Sequence, residues 1–531
     1  MAFGYRPVQR DQQFLLPPDM REWLSESHLA WFVIETVEQL DTSAFHERSL
    51  LGGVGRAGFD PDMLLSLLVY GYANGVRSAR QIDRLCEVDV AFRVICAEDA
   101  PEHSTISRFR AAHEDAFIRL FTQVLELAAQ AGLGRFGTVA VDGFKAAANA
   151  CIDANRDEGW LRQQARGIVA EAAAIDAAED AEFGEARGDE LPPELADPRT
   201  RPARIWAALQ ELEQRKRAAA EAAAQAEAEQ AAAGKELMRR IADGEKTGPG
   251  PSRKTDEVEV ARLRLARAEA DQQAKIDADL TRRAAAQALG QLQPIGRPPA
   301  PLERHGPVLR AKEMVRRAIQ RQQARDAVQQ QQPAKPPMRV NVTDPQSRVM
   351  PTRKGWLRGY NVQLGVTGDQ LIVAARVSQH TNDREEFIPM MAAVQEAADL
   401  FQATGRDDAV VGVLLADAGY ASDNNLAAPG PDRLIALASG RNQHRAAVHE
   451  PTEGPPPEGA TPWEAMRHRL CTPEGAATSK RRGATVEPGI GNLKKIISGL
   501  SRRGLNAATA EVNLAAAAFN LLKIYRMTQP G

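Results

Sequence analysis

Two short apolar runs interrupt an otherwise helical pattern. TVAVDGFK starts at Thr138 and VVGVLLADAGY at Val410, both flanked by glycine and too short for an amphipathic helix. Runs of this kind predict buried strands. The first strand, around Phe136 to Asp142, delivers Asp142 into a glycine turn; the second ends on Asp417, again followed by a small residue and a glycine. The alternating YNVQLGV and the run LIVAARV, separated by TGDQ, predict a β-hairpin. A helix from about Arg384 to Thr404, a short helix after Ser422 and a strand near Arg433 to Ala438 follow. The order is therefore strand, insertion, strand, strand, helix, strand, helix, strand. Residues 450–462, rich in Pro, Gly and Glu, read as a loop. From Ala484 onward the chain is helical again, with Val486, Ile490, Leu493, Ile497 and Leu500 on one stripe that docks it on the sheet.

Ahead of the first strand, Phe59 to Leu133 has a helical period and helical punctuation. Asp60 then Pro61 is an N-cap with proline at the first helical position, and the apolar helix that follows ends at Gly75. Ser78 with Gln81 predicts a capping box, Asp89 opens a third helix, and Ser104 or Thr105 is placed to cap a fourth. Short helices carrying Arg77, Arg80, Arg84, Arg93, Arg108 and Arg110 suit a small DNA-binding bundle, although arginines on a solvated bundle are commonly surface alone. The segment His103 to Arg110 is the best recognition-helix candidate.

Composition changes the picture between Ile152 and Lys335, where Ala, Glu, Gln and Arg dominate. Strong helix formers without a sustained heptad predict exposed, paired helices rather than a compact core, with EKTGPGPSRKT and PIGRPPAPLERHGP as linkers. A spacer without chemistry is the simplest role for it. The formal charge of −3 excludes a uniformly basic chain, yet an average of 67 basic and 70 acidic residues hides opposed segments. No apolar run approaches the roughly 20 residues that cross a bilayer, and MAFGYRPVQRDQQF lacks a secretory signal. Cys86, Cys96, Cys151 and Cys471 lie far apart without CxxC pairs, so reduced, cytoplasmic thiols are expected, with nucleoid association only when the protein is bound to DNA.

The candidate chemistry lies in three carboxylates. Asp142 and Asp417 leave buried strands, and Glu487 precedes Lys494 by about two helical turns, on the same side of its helix. Three carboxylates around one point call for a cation, and hard oxygen ligands suit Mg²⁺ or Mn²⁺ rather than zinc. Two such ions, ~4 Å apart, serve phosphodiester chemistry. Lys494, with Arg481 and Arg482, would grip backbone phosphate. Taken singly, none of these acids is specific, since an Asp before Gly is commonly a turn.

Together the motifs resemble a family. PDMLLSLLVYGYANGVRSARQIDRLCEVDVAFR, EHSTISRFR, VAVDGFKAAANA, TDPQSRVM, GYNVQ, ADAGY and VEPGIGNLK, in that order, resemble the bacterial insertion-sequence transposases with a DDE triad on an RNase H-like core and an N-terminal helical domain. The resemblance implies an α/β fold: a mixed sheet of about five strands with flanking helices. It implies an N-terminal helical DNA-binding domain over residues 1–133, the first core strand over 134–151, a helical insertion over 152–338 and the rest of the core over 339–526. It implies Asp142, Asp417 and Glu487 as the triad and as metal ligands, and Lys494 as the downstream lysine. Expected DNA contacts are Arg77, Arg80, Arg84, Ser104, Thr105, Arg108, Arg110, Arg481, Arg482 and Lys494. The family's Tyr and Arg ahead of the Glu are replaced: Lys480 stands for the Tyr, Gly483 occupies the common Arg spacing, and Arg482 is one residue off. Asn149, Thr343, Asp344, Tyr360, Asn361 and Gln363 match family motifs without an evident chemical role. The implied function is recognition of terminal inverted repeats, metal-dependent 3′-end cleavage and strand transfer into target DNA, by a homodimer or larger assembly. A hydrolytic nuclease on the same core, or an inactive DNA-binding descendant, remains open from sequence.

Overall fold

The computed structural model describes residues 19–47, 58–168, 170, 201–243, 257–288, 297–331, 337–352 and 355–529. The N-terminal MAFGYRPVQRDQQF, the linker EKTGPGPSRKT and the start of PIGRPPAPLERHGP lie outside them. Two compact units result: Met1–Arg156, Gln164–Ala208 and Val340–Gly531 form the first, and Asp157–Gln163 with Leu209–Arg339 the second.

Seven helices open the first unit: α1 (Leu29–Gln39), α2 (Ser43–His46), α3 (Pro61–Ala73), α4 (Ala79–Val88), α5 (Val90–Ile95), α6 (His103–Ala112) and α7 (Glu114–Gln130). Local chemistry sets their ends. Asp60 Oδ1 accepts the Asp62 N–H at 2.8 Å ahead of Pro61, and Gly75 takes φ +75° where α3 closes. Asp89 caps α5 through the Ala91 and Phe92 N–H groups at 2.9 and 3.2 Å. Two expected caps differ. Ser78 is the N-cap residue of α4 but its hydroxyl makes no cap bond, so the capping box is not formed. Ser104 and Thr105 sit inside α6, whose first N–H, that of His103, donates to Asp83 Oδ2 on α4 at 2.9 Å. The neighbouring helix does the capping.

Strand β1 (Thr138–Ala147) continues through Asp142 instead of turning at Gly143. It pairs antiparallel with the later strand Gly355–Thr367 from Val139 opposite Thr367 to Ala147 opposite Gly359. Gly143 answers a packing need. A Cβ there would lie 2.2 Å from the Nε2 of Gln363, which stands directly opposite. The short β2 (Asn155–Asp157) follows.

The second unit holds most of α8 (Arg201–Ala242), with α9 (Glu257–Ala288) and α10 (Gly306–Gln331). The last two run antiparallel, as Glu257 pairs with Arg325 at 2.6 Å and Glu269 with Lys312 at 3.5 Å. Val258, Ala261 and Ala318 form a small apolar seam between them. Paired, largely solvated helices are what the Ala- and Glu-rich composition predicted.

The chain then re-enters the first unit as β3 (Arg339–Asn341), β4 (Arg348–Thr352), β5 (Gly355–Thr367) and β6 (Ile372–Ser378). A 3₁₀ turn at Arg384–Glu386 leads into α11 (Phe387–Ala403), then β7 (Val413–Ala416), α12 (Asp423–Ala427) and β8 (Arg433–Ile435). Four helices finish the chain: α13 (Gly440–His449), α14 (Pro462–Cys471), α15 (Pro473–Ile496) and α16 (Leu505–Thr528). Helix α15 starts well before Ala484 because Thr472 caps it, accepting the Gly475 N–H at 3.0 Å, with Pro473 at its first position. Helix α14 is fixed by a Thr461–Glu464 capping box.

The sheet has six strands in the order β4-β5-β1-β7-β8, with β6 also paired to β5. β1 is antiparallel to β5 and parallel to β7, and β7 is parallel to β8. This mixed α/β sheet behind an N-terminal helical region is the RNase H-like architecture expected. The buried α16 joins the two parts. It packs along α7 and α3 and against β6, where Asn520 bonds both backbone groups of Ile372. Its alanines 507, 508, 510 and 515–518 are all buried, and such small side chains let a helix approach its neighbours closely on every side. No described helix is long and apolar enough to cross a membrane.

Candidate active site

Strand register places the two aspartates. Ala140 lies opposite Leu415 in the parallel β1–β7 pair, so two residues further on Asp142 draws level with Asp417, just past the end of β7. Neighbouring strands are about 4.8 Å apart, so the two carboxylates share one edge of the sheet. Asp417 turns back to accept the Gly419 N–H at 2.8 Å. Burial, then the Asp142 charge, hold its carboxyl above the ordinary value, against the opposing pull of the Gly419 N–H and Arg482.

Helix α15 crosses this edge. Arg482, one residue off the family spacing, donates from Nη1 to Asp142 Oδ2 at 2.7 Å, with both side chains about one-quarter exposed. Twelve residues later Lys494 holds its ammonium 4.9 Å from the Phe144 ring centre, two residues along β1 from Asp142. Glu487 lies between them, exposed, followed by a proline inside the helix. Val486, Ile490 and Leu493, on the adjoining face, are buried, and the helix packs on the sheet. Lys480 and Gly483 line, with Asp417 and Arg482, a cavity of about 470 Å³ beside the strand ends.

The structure brings together Asp142, Asp417 and Arg482. Among the described residues, His46, Asp60 and Asp62 are the one group of three whose ligand atoms all fall within 4.8 Å, so Asp142, Asp417 and Glu487 do not converge to that distance. The donor set at the strand ends fits a hard divalent cation, since it offers carboxylate oxygens, and such a cation would displace the Arg482 guanidinium from Asp142 Oδ2.

Sequence reasoning missed Asp383. Its Oδ1 accepts from Lys145, Asn361 and Gln363 at 2.9, 2.9 and 2.8 Å, and its charge acts on Asp417. The motif residues Asn361 and Gln363 thereby gain a role: they hold this carboxylate. The other motif residues are structural. The Tyr360 hydroxyl donates to both oxygens of the fully buried Asp344, at 2.8 and 2.9 Å, and burial followed by that charge pushes the phenol well above its ordinary pKa. The Thr343 N–H donates to Asn341 Oδ1 at 2.9 Å, and the Asn149 amide donates to Ser501 O at 2.8 Å.

The expected DNA contacts divide. Arg80, Arg84, Arg108 and Arg481 are exposed, and Ser104 and Thr105 half-buried. Arg110 and Arg77 are held by partners within the protein. Arg110 is 8% exposed and donates to the Tyr72 hydroxyl and the Arg77 carbonyl, at 3.3 and 2.9 Å. Arg77 is spent on the Gly499 carbonyl, on Ser498 Oγ at 3.0 Å, and on Glu511 at 3.6 Å. Both arginines bind helices to the core because their guanidinium groups satisfy buried acceptors, which spacing along α4 and α6 does not reveal.

No curated protein and no solved structure matches the chain. Residues 18–112 match a transposase domain (DUF772), and residues 457–525 match a transposase DDE domain. The first spans the α1–α6 helices and the second runs from α14 through Glu487 into α16. These two matches, to a transposase domain at one end of the chain and a transposase DDE domain at the other, support the resemblance to insertion-sequence DDE transposases.

Proposed function

We propose that this transposase binds the terminal inverted repeats of its element, cuts the 3′ ends and joins them to target DNA by direct transesterification. The observation that carries the reading is the β1–β7 register, which sets Asp142 beside Asp417. Asp142, Asp417 and Glu487 would hold Mg²⁺ or Mn²⁺, two ions in all, which supply activation of the attacking oxygen and stabilisation of the departing 3′ oxygen. The chain's own cations bind and orient the DNA. Lys494 and Arg481 bind backbone phosphate, and Arg482 exchanges the Asp142 carboxylate for phosphate as the strand enters. The attacking group is water in the cut and the freed 3′ hydroxyl in the joining step, so no side chain becomes covalently attached. Exposed Arg80, Arg84 and Arg108, with Ser104 and Thr105, contact the element end, and α6 supplies the recognition helix. Two ends must be joined, so a homodimer or larger assembly forms on DNA.

The test is cleavage of a labelled duplex carrying the element's own terminal repeat, with Mg²⁺ or Mn²⁺ against EDTA. Wild type should nick the 3′ ends in metal and join a pre-cut end to target. Asp142→Asn and Glu487→Gln should bind the duplex normally and cut nothing. Cutting without joining would reduce the protein to a nuclease, and binding without cutting by wild type would make it an inactive descendant.

A further inference from the structure

We propose that Asp383 is a fourth acid of this site, acting with Asp417 on the same divalent cation; the proposal rests on the transposase reading. Asp383 lies just ahead of the 3₁₀ turn that opens α11. Its two oxygens do different things. Oδ1 is anchored by Lys145 Nζ from β1 and by Asn361 Nδ2 and Gln363 Nε2 from β5. Gln363 in turn accepts the Tyr420 hydroxyl at its Oε1, and Tyr420 closes the turn that starts at Asp417. The carboxylate is thus tied to the central strands and to the Asp417 turn at once.

Oδ2 is turned the other way. It lies 3.6 Å from the position a Cβ on Gly419 would take, and Asp417 Oδ1 lies 2.9 Å from that same position. Both oxygens border one small space, which glycine at 419 leaves open. Carboxylates that ligate hard cations are commonly held by hydrogen bonds from the surrounding protein, which fix the ligand's orientation. Asp383 has that form: one oxygen immobilised by three donors, the other facing a neighbouring acid. The charges are also balanced. Arg482 faces Asp142 and Lys145 faces Asp383, so each flanking acid carries its own cation in the free protein. A residue needed for folding alone would give no reason for Oδ2 to share the Asp417 turn.

The test is Mn²⁺ binding to the full chain by titration calorimetry, without DNA, for wild type and Asp383→Asn, with Asp417→Asn beside them. Asparagine keeps an oxygen for the Lys145, Asn361 and Gln363 donors and removes the charge, so the fold should hold by circular dichroism. The expected result is Mn²⁺ affinity about tenfold to a hundredfold weaker in Asp383→Asn, with a correspondingly smaller rise of Tm in Mn²⁺. If that variant folds poorly, Asp383→Ser carries the same reading. Affinity within about twofold of wild type in a folded variant overturns the proposal, as does a wild type that binds no Mn²⁺ at millimolar concentration. The two readings fail separately. Weakened Mn²⁺ binding beside a wild type that cuts no terminal repeat keeps Asp383 and discards the transposition reading; cutting beside unchanged Mn²⁺ binding does the reverse.

Discussion

Gly143→Ala tests the site's internal geometry most directly. The added methyl would stand 2.2 Å from Gln363 Nε2, 2.7 Å from its Cδ and 3.0 Å from its Oε1. Gln363 is fully buried, so its amide cannot swing into solvent. Displacing it breaks a bond to the Asp383 carboxylate at 2.8 Å, a bond to Asn361 Oδ1 at 3.0 Å and the bond from the Tyr420 hydroxyl. The charged bond is worth about 1.5–3 kcal/mol and the neutral ones about 1 kcal/mol each, with overpacking adding ~1–3 kcal/mol. Relaxation recovers part of that, so a net loss of about 3–5 kcal/mol is expected. Urea denaturation of the full chain, followed by tryptophan fluorescence, measures it. Gln363→Ala supplies the control, because it vacates the space the methyl would enter. In that background Gly143→Ala should cost at least about 1.5 kcal/mol less, a coupling only contacting residues show. A Gly143→Ala variant within about 0.5 kcal/mol of wild type, or an equal cost in both backgrounds, would refute the close approach.

Asp369 accepts the Gly134 and Arg135 N–H groups, each at 3.0 Å, and the Thr367 hydroxyl at 2.6 Å. Burial favours its neutral form, but these donors outweigh it and carry its pKa below the ordinary 3.8. A depressed folded pKa gives stability that is complete above about pH 4 and lost as pH falls through the folded value; Asp369→Asn should flatten that acid limb and cost about 1.5–3 kcal/mol at pH 7 in urea titrations. Arg77→Met should lower stability by about 3 kcal/mol or more, because Glu511, with a side chain 2% exposed, loses its cation; gel-shift affinity of the folded fraction for the terminal repeat should stay unchanged. Arg482→Gln should shift stability by no more than about 1 kcal/mol, since the pair with Asp142 is partly solvated, while cleavage falls at least about tenfold.

What was legible in the sequence was local. Proline and aspartate at Asp60–Pro61, the TGDQ turn and the β-branched runs each fix backbone within a few residues, and those elements formed where the pattern placed them. Asp142 and Asp417 were visible for the same reason, each closing an apolar run. What stayed hidden depends on partners distant in the chain. Gly143 looks like a turn until Gln363 stands opposite it. Asp383 lies in a polar stretch before a helix, with nothing nearby to mark it, and its three donors come from 238, 22 and 20 residues away. Arg77 and Arg110 share a helix-surface pattern with Arg80 and Arg84, and the acceptors that bury them sit mostly on the far C-terminal segment or an adjoining helix. The start of α15 was missed because its stripe of large apolar residues begins only near Val486, while Thr472 and Pro473 set its origin earlier.

The place of α16 has a consequence for synthesis. The α3 and α7 helices, made early, rest on a helix translated long after them. Contacts of such long sequence separation form late and slowly, and an N-terminal segment usually settles first only when it can close its own core. Here it cannot. A nascent chain that has not yet reached α16 exposes the apolar faces of α3 and α7 that α16 covers, so the N-terminal helices and the sheet mature together, once α16 is made.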